Sequence, residues 1–520
     1  MKSPLIQTIS LTPPSLQDNT ADADRILNAL KARLNTDALD IDFDLLKKLP
    51  HILRKSNYNA RCILLKDRCQ RVLVEVTDAS DTRVIAGLAI DLGTTRVVLH
   101  LLELETGRTI NESAFDNPQE SIGPDILARI HFADQTGGLK KLNDLIIKAL
   151  NAAIFNLCRD HQLEPQNIYA LSVAGNTTMT HLFLGLDPHW IIREPYIPVV
   201  NSPGILRAQT LGLEVHPRAR VLIFPNIGSY FGGDLIAGIL FSKISQNDET
   251  AILVDVGTNA EVVLGNKNWL IACAGAAGPA LEGGVTRMGM TAGPGVIDKI
   301  EIDPDSLEFS IHTIEDLPPK GICGSGVIDL AAQLFISGML DIRGKFVPAA
   351  CGNRLKEIDG ILNLVVVPAD QAATKADLTI SQTDVDSLIR SKAAMYTILE
   401  TITASVGLDL NDLTTFYVSG TFGSFINPGS AISIGMLPDL PLERYKPLGN
   451  SCIAGAALAL TSDKYLDQID DIRNRITYLE LNVNQEFMNR FSAAKFLPHT
   501  DPTRFPSVKP WRKKCCKSIF

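Results

Sequence analysis

The sequence predicts an α/β protein made of two similar halves behind a small N-terminal module. Two acidic, glycine-bearing segments, Asp91-Leu-Gly-Thr-Thr95 and Asp255-Val-Gly-Thr-Asn259, lie 164 residues apart, each directly after an apolar run. Each reads as a buried strand, a tight turn and a second strand: Gly87–Ile90 then Val97–Leu99, and Ala251–Val254 then Glu261–Leu264. Hairpins of the same chemistry imply similar half-domains. Within each half, strands alternate with helical patterns, and the residues ahead of the first hairpin read as a unit of their own.

That first module is assigned to residues 1–85. It opens with Leu11-Thr-Pro-Pro-Ser15, carries helical patterns over Ile26–Leu34 and Leu45–Leu53, and ends in a hairpin of Ile63–Leu65 with Val72–Val76. The first half, 86–248, adds a long helix over Leu139–Cys158. It also adds a strand, Tyr169–Ala174, that turns through Gly175-Asn-Thr-Thr178 into a helix reaching Leu184. The second half, 249–500, holds the glycine-rich segment Ala274–Gly284, then Gly321-Ile-Cys-Gly-Ser-Gly326 opening a helix over Val327–Phe335. Later, Phe416–Ser419 runs into Gly420-Thr-Phe-Gly-Ser424. The end, 501–520, clusters Lys509, Arg512, Lys513, Lys514 and Lys517 around Trp511 and is read as a disordered basic tail.

At 520 residues the chain is too long for one ordinary core. Its 45% hydrophobic and 21% charged residues are those of a soluble globular protein, and a formal charge of -9 argues against nucleic acid as partner. The start lacks a signal-peptide core and no stretch is apolar enough to span a membrane, so the expected location is cytoplasmic. Nine cysteines, at 62, 69, 158, 273, 323, 351, 452, 515 and 516, form no C-x-x-C pair, so an iron–sulfur cluster is not supported by their pattern. Cys62 and Cys69 could pair or bind metal, but are read as structural thiols.

The turns suggest a chemistry. Glycine lets backbone N–H groups approach a ligand and Thr or Asn adds side-chain donors, so Gly93, Thr94 and Thr95, and Gly257, Thr258 and Asn259, form candidate phosphate cradles. Asp91 and Asp255 would hold Mg²⁺ through its waters. The turn with Gly420, Thr421 and Gly423 offers a flat surface for an adenosine, and Gly324 and Ser325 at a helix start offer further N–H donors. A P-loop is excluded: its nearest match, Gly338 to Gly344-Lys345-Phe346, has one residue too many and lacks the Ser or Thr.

This order of turns resembles the actin, sugar-kinase and heat-shock-chaperone ATPase superfamily. There, two ribonuclease-H-like lobes close over ATP, the paired acidic turns bind phosphates and Mg²⁺, and a late glycine turn holds the adenosine. The resemblance narrows along nearly the whole chain to about residue 500. It is carried by Asn117-Pro-Gln119 with Gly123-Pro-Asp125 and Arg129, Gly175-Asn-Thr-Thr-Met179, Asp255–Glu261, Ala277–Gly283, Gly321–Gly326 and Gly420–Ser424. Together these are similar to the ATP-dependent reductive activators of corrinoid enzymes, and residues 1–85 resemble that family's linker domain.

The resemblance implies an ATPase, with ATP and Mg²⁺, that drives a corrinoid protein from Co(II) to Co(I). It points to Asp234, 21 residues before Asp255, where sugar kinases place a catalytic aspartate; in an ATPase it would orient the attacking water. A helix-starting Asp after two glycines is the plainer reading of the same residue. Asn176 is a further cleft candidate, open to the same reading. The family also carries an iron–sulfur domain, whereas this chain begins at the linker and ends with only adjacent Cys515 and Cys516. Electrons would then come from a separate ferredoxin-like donor or from protein beyond this chain. The alternatives are a non-redox ATP-dependent chaperone or reactivating factor, which the missing cluster motifs favour, and a small-molecule kinase needing a polar pocket near Asp234. The resemblance also suggests a homodimer.

Overall fold

The apolar runs ahead of both acidic turns become central strands of two sheets in the computed structural model, which describes residues 5–67, 70–229, 231–257, 260–275, 286–420, 426–481 and 485–509. The chain divides into two units, Met1–Phe241 with Ser451–Arg475, and Ser242–Asn450 with Ile476–Phe520.

In unit 1 the N-terminal module contains β1 (Ile6–Ser10), α1 (Asp22–Leu34), β2 (Leu39–Ile41), α2 (Phe43–Leu46), α3 (Leu49–Lys55), β3 (Asn59–Asp67) and β4 (Gln70–Asp78). Its sheet runs β1-β3-β4-β2. Ile26 and Leu30 of α1 meet Leu45, Leu49 and Leu53 over Leu64 and Leu73, which closes a small core. Charge joins this module to the rest of the unit. The buried Asp42, N-cap of α2, accepts from Arg207 Nη2 at 3.0 Å and Arg220 Nη2 at 3.2 Å. Glu75 accepts from Arg218 Nη2 at 2.6 Å and lies 3.1 Å from His216 Nε2.

Beyond the module come β5 (Ala86–Leu92), β6 (Arg96–Glu103), β7 (Thr109–Asp116), α4 (Ile126–Ala133), α5 (Gly138–Arg159), β8 (Ile168–Gly175), α6 (Thr177–Leu184), β9 (Gly204–Arg207), β10 (Arg220–Ile223) and α7 (Gly233–Ser242). The sheet order is β7-β6-β5-β8-β10-β9, with β5, β8 and β10 parallel. Strand alternation sends Leu88, Ile90 and Leu92 to one face, against Leu142, Ile146 and Leu150 of α5. The other face is built from small residues, Gly87 and Ala89 beside Ala170 and Ser172. There the helix Ser451–Ala459, returning from far along the chain, lies close enough for Ser172 Oγ to donate to Ala456 O at 2.6 Å.

Unit 2 repeats the plan. Strands β11 (Ala251–Val256), β12 (Ala260–Gly265) and β13 (Leu270–Gly275) form the hairpin side of its main sheet. Then follow β14 (Val296–Ile302), β15 (Phe309–Thr313), β16 (Gly321–Ile322), α8 (Gly324–Ile336), β17 (Leu355–Ile358), β18 (Ile361–Val367), β19 (Leu378–Ser381) and α9 (Gln382–Ser405). The unit ends with β20 (Thr415–Ser419), β21 (Tyr445–Gly449), β22 (Ile476–Tyr478) and α10 (Gln485–Ala494). The main sheet is β21-β20-β11-β12-β13-β22, so β13-β12-β11-β20-β21 matches β7-β6-β5-β8-β10 strand for strand and direction for direction. Two three-stranded sheets, β15-β14-β16 and β17-β18-β19, are additions that unit 1 lacks among the described residues.

Helix α9 starts in a capping box, Ser381 Oγ accepting from Asp384 N at 3.1 Å while Asp384 Oδ2 accepts from Ser381 N at 2.9 Å. It then organises the chain end. The buried Lys392 Nζ donates to Phe496 O at 2.6 Å and Pro498 O at 2.7 Å. Residues 501–509, expected as part of a disordered tail, are folded into unit 2, because Phe505 is only 2% exposed and its ring lies 5.4 Å from that of Tyr396. Residues 510–520 lie outside the described residues. No helix among the described residues is long and apolar enough to cross a membrane.

Candidate functional site

The register of two parallel strands builds the first site. Asp91 pairs with Ala174 and Leu92 with Gly175, so the Gly93–Thr95 turn and Asn176 leave the sheet side by side at the carboxyl ends of β5 and β8. That edge is where open α/β sheets gather ligands. Asn176 caps α6, accepting from Met179 N at 2.9 Å, and its Nδ2 donates to Thr94 Oγ1, also at 2.9 Å.

From the other side Asn117 fixes the turn backbone. Its N–H donates to Thr95 O at 2.7 Å and its Nδ2 to Gly93 O at 2.9 Å. With the Gly93 carbonyl held there, the trans peptide aims the Thr94 N–H the opposite way, as a phosphate cradle needs. A Cβ at Gly93 would sit 2.2 Å from Arg96 O, so only glycine fits.

Asp234 joins the same cluster from the second position of α7. A Cβ on Gly232 would lie 2.4 Å from Asn176 Cα, 2.4 Å from Asp234 Oδ1 and 2.8 Å from Gly175 O, so Asp234 and Asn176 flank one glycine backbone. Asp234 Oδ1 also accepts from Leu235 N at 2.9 Å. Burial lowers the pKa of His100, and the charges of Glu112 and Asp91 only partly offset it; the ring therefore stays neutral near pH 7.

The second turn is held by different groups. Asp255 pairs with Ser419 across β11 and β20, and Ser419 Oγ donates to Asp255 Oδ2 at 3.1 Å. Gly420 has φ +88°, and a Cβ there would lie 2.7 Å from both Asp255 Oδ1 and Val256 O. Across the hairpin Asp255 stands directly opposite Glu261. Two carboxylates at one cross-strand position suit a divalent cation, because like charges so placed repel. Mg²⁺ keeps most of its waters. It therefore does not need the three-residue acidic or His/Cys cluster that is absent among the described residues.

The remaining predicted residues divide. Gly257 follows β11 directly, whereas Thr258, Asn259, Thr421 and Gly423 lie outside the described residues. Gly324 and Ser325 begin α8 but are buried, with Ser325 Oγ 3.2 Å from Cys323 Sγ. A Cβ on the neighbouring Gly326 would lie 2.6 Å from Ile297 O, so this glycine-rich start serves close packing of α8 on β14.

Sequence reasoning did not single out Asn117, Ser419 or Gly232 as site residues. The Asn-Pro dipeptide at 117–118 signals a cap and hides the second use of the Asn side chain. The described cysteines, Cys62, Cys158, Cys273, Cys323, Cys351 and Cys452, are buried. Burial pushes Cys62 up to about 12, and Cys158 and Cys351 up to about 11, which marks them as inert.

A duplicated five-strand sheet, with an acidic glycine turn closing the first hairpin of each copy, defines the actin-like ATPase fold class. The chain belongs to the RACo family, matching the RACo linker region over residues 5–83, the RACo middle region over 86–247 and the C-terminal ASKHA domain of RACo over 249–509. A solved structure described as a reductive activator for corrinoid, iron-sulfur protein is 37% identical, with a TM-score of 0.88, covering 98% of this chain and 81% of that one. The corrinoid activation enzyme RamQ of Eubacterium limosum is 28% identical over 458 residues, 86% of this chain and 76% of its own. A [Co(II) methylated amine-specific corrinoid protein] reductase of Methanosarcina barkeri is 23% identical over 434 residues, 78% of this chain and 75% of its own.

Proposed function

We propose that this protein is an ATPase that drives the reductive activation of a corrinoid protein, Co(II) gaining one electron to become Co(I) while ATP is hydrolysed to ADP and phosphate. The similarity to a reductive activator over 98% of this chain and 81% of that one, at 37% identity and TM-score 0.88, is the observation that carries the reading. The acidic turns give it a chemical basis. Asp91 and Asp255 would hold hydrated Mg²⁺, which neutralises phosphate charge. Gly93, Thr94, Thr95 and Asn176 would cradle phosphate in unit 1, and Gly257, Thr258 and Asn259 in unit 2. Asp234, beside Asn176, would orient the attacking water. Gly420, Thr421 and Gly423 would receive the adenosine, with Gly324 and Ser325 in supporting roles.

Re-reduction of a stalled Co(II) corrinoid is uphill from ordinary donors. ATP assists only if nucleotide state changes the preference for one corrinoid state, a coupling free energy between two sites. The electron would come from a separate ferredoxin-like donor or from protein beyond this chain.

The test incubates the protein with ATP, Mg²⁺, a low-potential reductant and a Co(II) corrinoid protein while Co(I) absorbance is followed. An ATP-dependent Co(I) signal is expected. Hydrolysis without that signal would assign a non-redox role, and a phosphorylated small molecule would assign a kinase.

A further inference from the structure

Beneath the first turn sits a charge that no carboxylate balances. Arg129, on α4, is fully buried and makes no ion pair among the described residues. Its Nε donates to Gly123 O at 2.9 Å, and its Nη1 to Gln119 Oε1 at 3.4 Å and Met179 Sδ at 3.2 Å. Its Nη2 is buried with no partner. Three neutral acceptors, one of them a thioether, are poor compensation for a guanidinium taken out of water. Burial lowers its pKa to about 10, against the weaker opposing pull of the Glu120 and Asp125 charges. An unpaired buried cation is costly, so its presence calls for a reason other than stability.

Two of the partners of Arg129, Gln119 and Met179, supply that reason, because both lead to the turn. Gln119 donates its N–H to Asn117 Oδ1 at 3.0 Å, and Asn117 in turn holds Gly93 O and Thr95 O. Met179, on the other side, donates its N–H to the Oδ1 of Asn176, whose Nδ2 holds Thr94 Oγ1. The contacts close a ring: Thr94, Asn176, Met179, Arg129, Gln119, Asn117 and Gly93. Arg129 is its only charged member.

We propose that Arg129 is a positioning residue for nucleotide phosphate, fixing the Gly93–Thr95 turn and the Asn176 cap against each other and lending both a positive charge that bound phosphate compensates. The inference rests on the nucleotide reading above and adds a residue acting through others. It separates two effects that usually travel together. Removing the charge relieves a desolvation cost in the empty protein, yet weakens the bound state.

Isothermal titration of the full chain with Mg-ADP, paired with thermal melts of nucleotide-free protein, tests this. Arg129→Met is expected to bind Mg-ADP about tenfold more weakly while its nucleotide-free Tm is unchanged or higher. Arg129→Lys, which keeps the charge, should bind within about threefold of wild type. Unchanged affinity in Arg129→Met overturns the proposal, and so does an affinity loss accompanied by a lower nucleotide-free Tm, the mark of a merely structural role. Should Arg129→Met not fold, Gln119→Leu removes the Oε1 that accepts from Arg129 Nη1 and so cuts the tie of Arg129 to the Asn117 side of the ring while keeping the charge, and an affinity within error of wild type then overturns the proposal. Failure of the wild-type protein to bind Mg-ADP would instead count against the nucleotide reading itself.

Discussion

The turns at Asp91 and Asp255 occupy matching places in matching sheets, but they are held by different means. Around Asp91 the supports are amides: Asn117 grips the turn carbonyls and Asn176 grips Thr94 while capping a helix. Around Asp255 the support is a hydroxyl from the adjacent parallel strand, with Gly420 pressed against the carboxylate and Glu261 directly across the hairpin. In unit 1 Asn117 clamps the backbone of the turn, and in unit 2 Ser419 clamps the carboxylate of Asp255. The two sheets share their strand order, and their supports differ. We read the first turn as the phosphate cradle and the second as the stronger cation post.

Substitutions break or sharpen that division. The largest effect is expected at the carboxylates. Asp234→Asn should lower the ATP turnover number about 100- to 1,000-fold with Mg-ATP affinity nearly unchanged, measured by phosphate release and equilibrium binding. Asp255→Asn should raise the Mg²⁺ concentration needed for half-maximal turnover more than Asp91→Asn does; equal shifts would erase the proposed division of labour.

Glycine replacements come next. Gly93→Ala places a methyl 2.2 Å from a backbone oxygen, and Gly420→Ala places one 2.7 Å from Asp255 Oδ1 and Val256 O at φ +88°. Both should destabilise by roughly 2–4 kcal/mol in urea unfolding, Gly93→Ala more, because its methyl would come closer to a backbone oxygen.

Loss of the ties is milder. Ser419→Ala removes a hydrogen bond to a carboxylate and should cost about 2 kcal/mol. Asn176→Ala removes a cap and should cost about 1 kcal/mol, but it alone of the pair should also weaken ADP binding.

The smallest expected effect lies where the units differ most, in the module only unit 1 carries. Burial raises the pKa of Glu75, but the hydrogen bond from His216 and the charge of Arg218 outweigh it and hold the group below its ordinary 4.5. A depressed carboxylate contributes stability above its unfolded pKa and loses it as pH falls through the folded value. The stability gap between wild type and Glu75→Gln should therefore be full at neutral pH and close below about pH 4.5. A gap that widens on acidification would contradict the pairing.

What was legible in the sequence was what is local. Apolar runs broken by Asp, Gly and Thr revealed both hairpins, and Tyr169–Ala174 leading to Asn176 revealed a strand, a cap and a helix, because each signal lies within a dozen residues. The ties between segments were not legible. Ser172 meets Ala456 across 284 positions, and the small residues of Ser451–Ala459 announce a buried helix without saying what it covers. Phe505 was hidden likewise, since one aromatic near a basic run gives no sign of the pocket beside Tyr396.

The helix Ser451–Ala459 also sets an order of events during synthesis. The small-residue face of the first sheet, around Gly87, Ala89 and Ser172, is covered by a helix whose contact residue Ala456 leaves the ribosome 284 positions after Ser172. The sheet's other face can close over α5 once β10, ending at Ile223, has emerged, so unit 1 spends much of translation with one side finished and one side bare. Its completion depends on nearly the whole of unit 2 having been made first. A nascent chain halted near residue 241 would carry the first acidic turn on a sheet that still lacks its second layer.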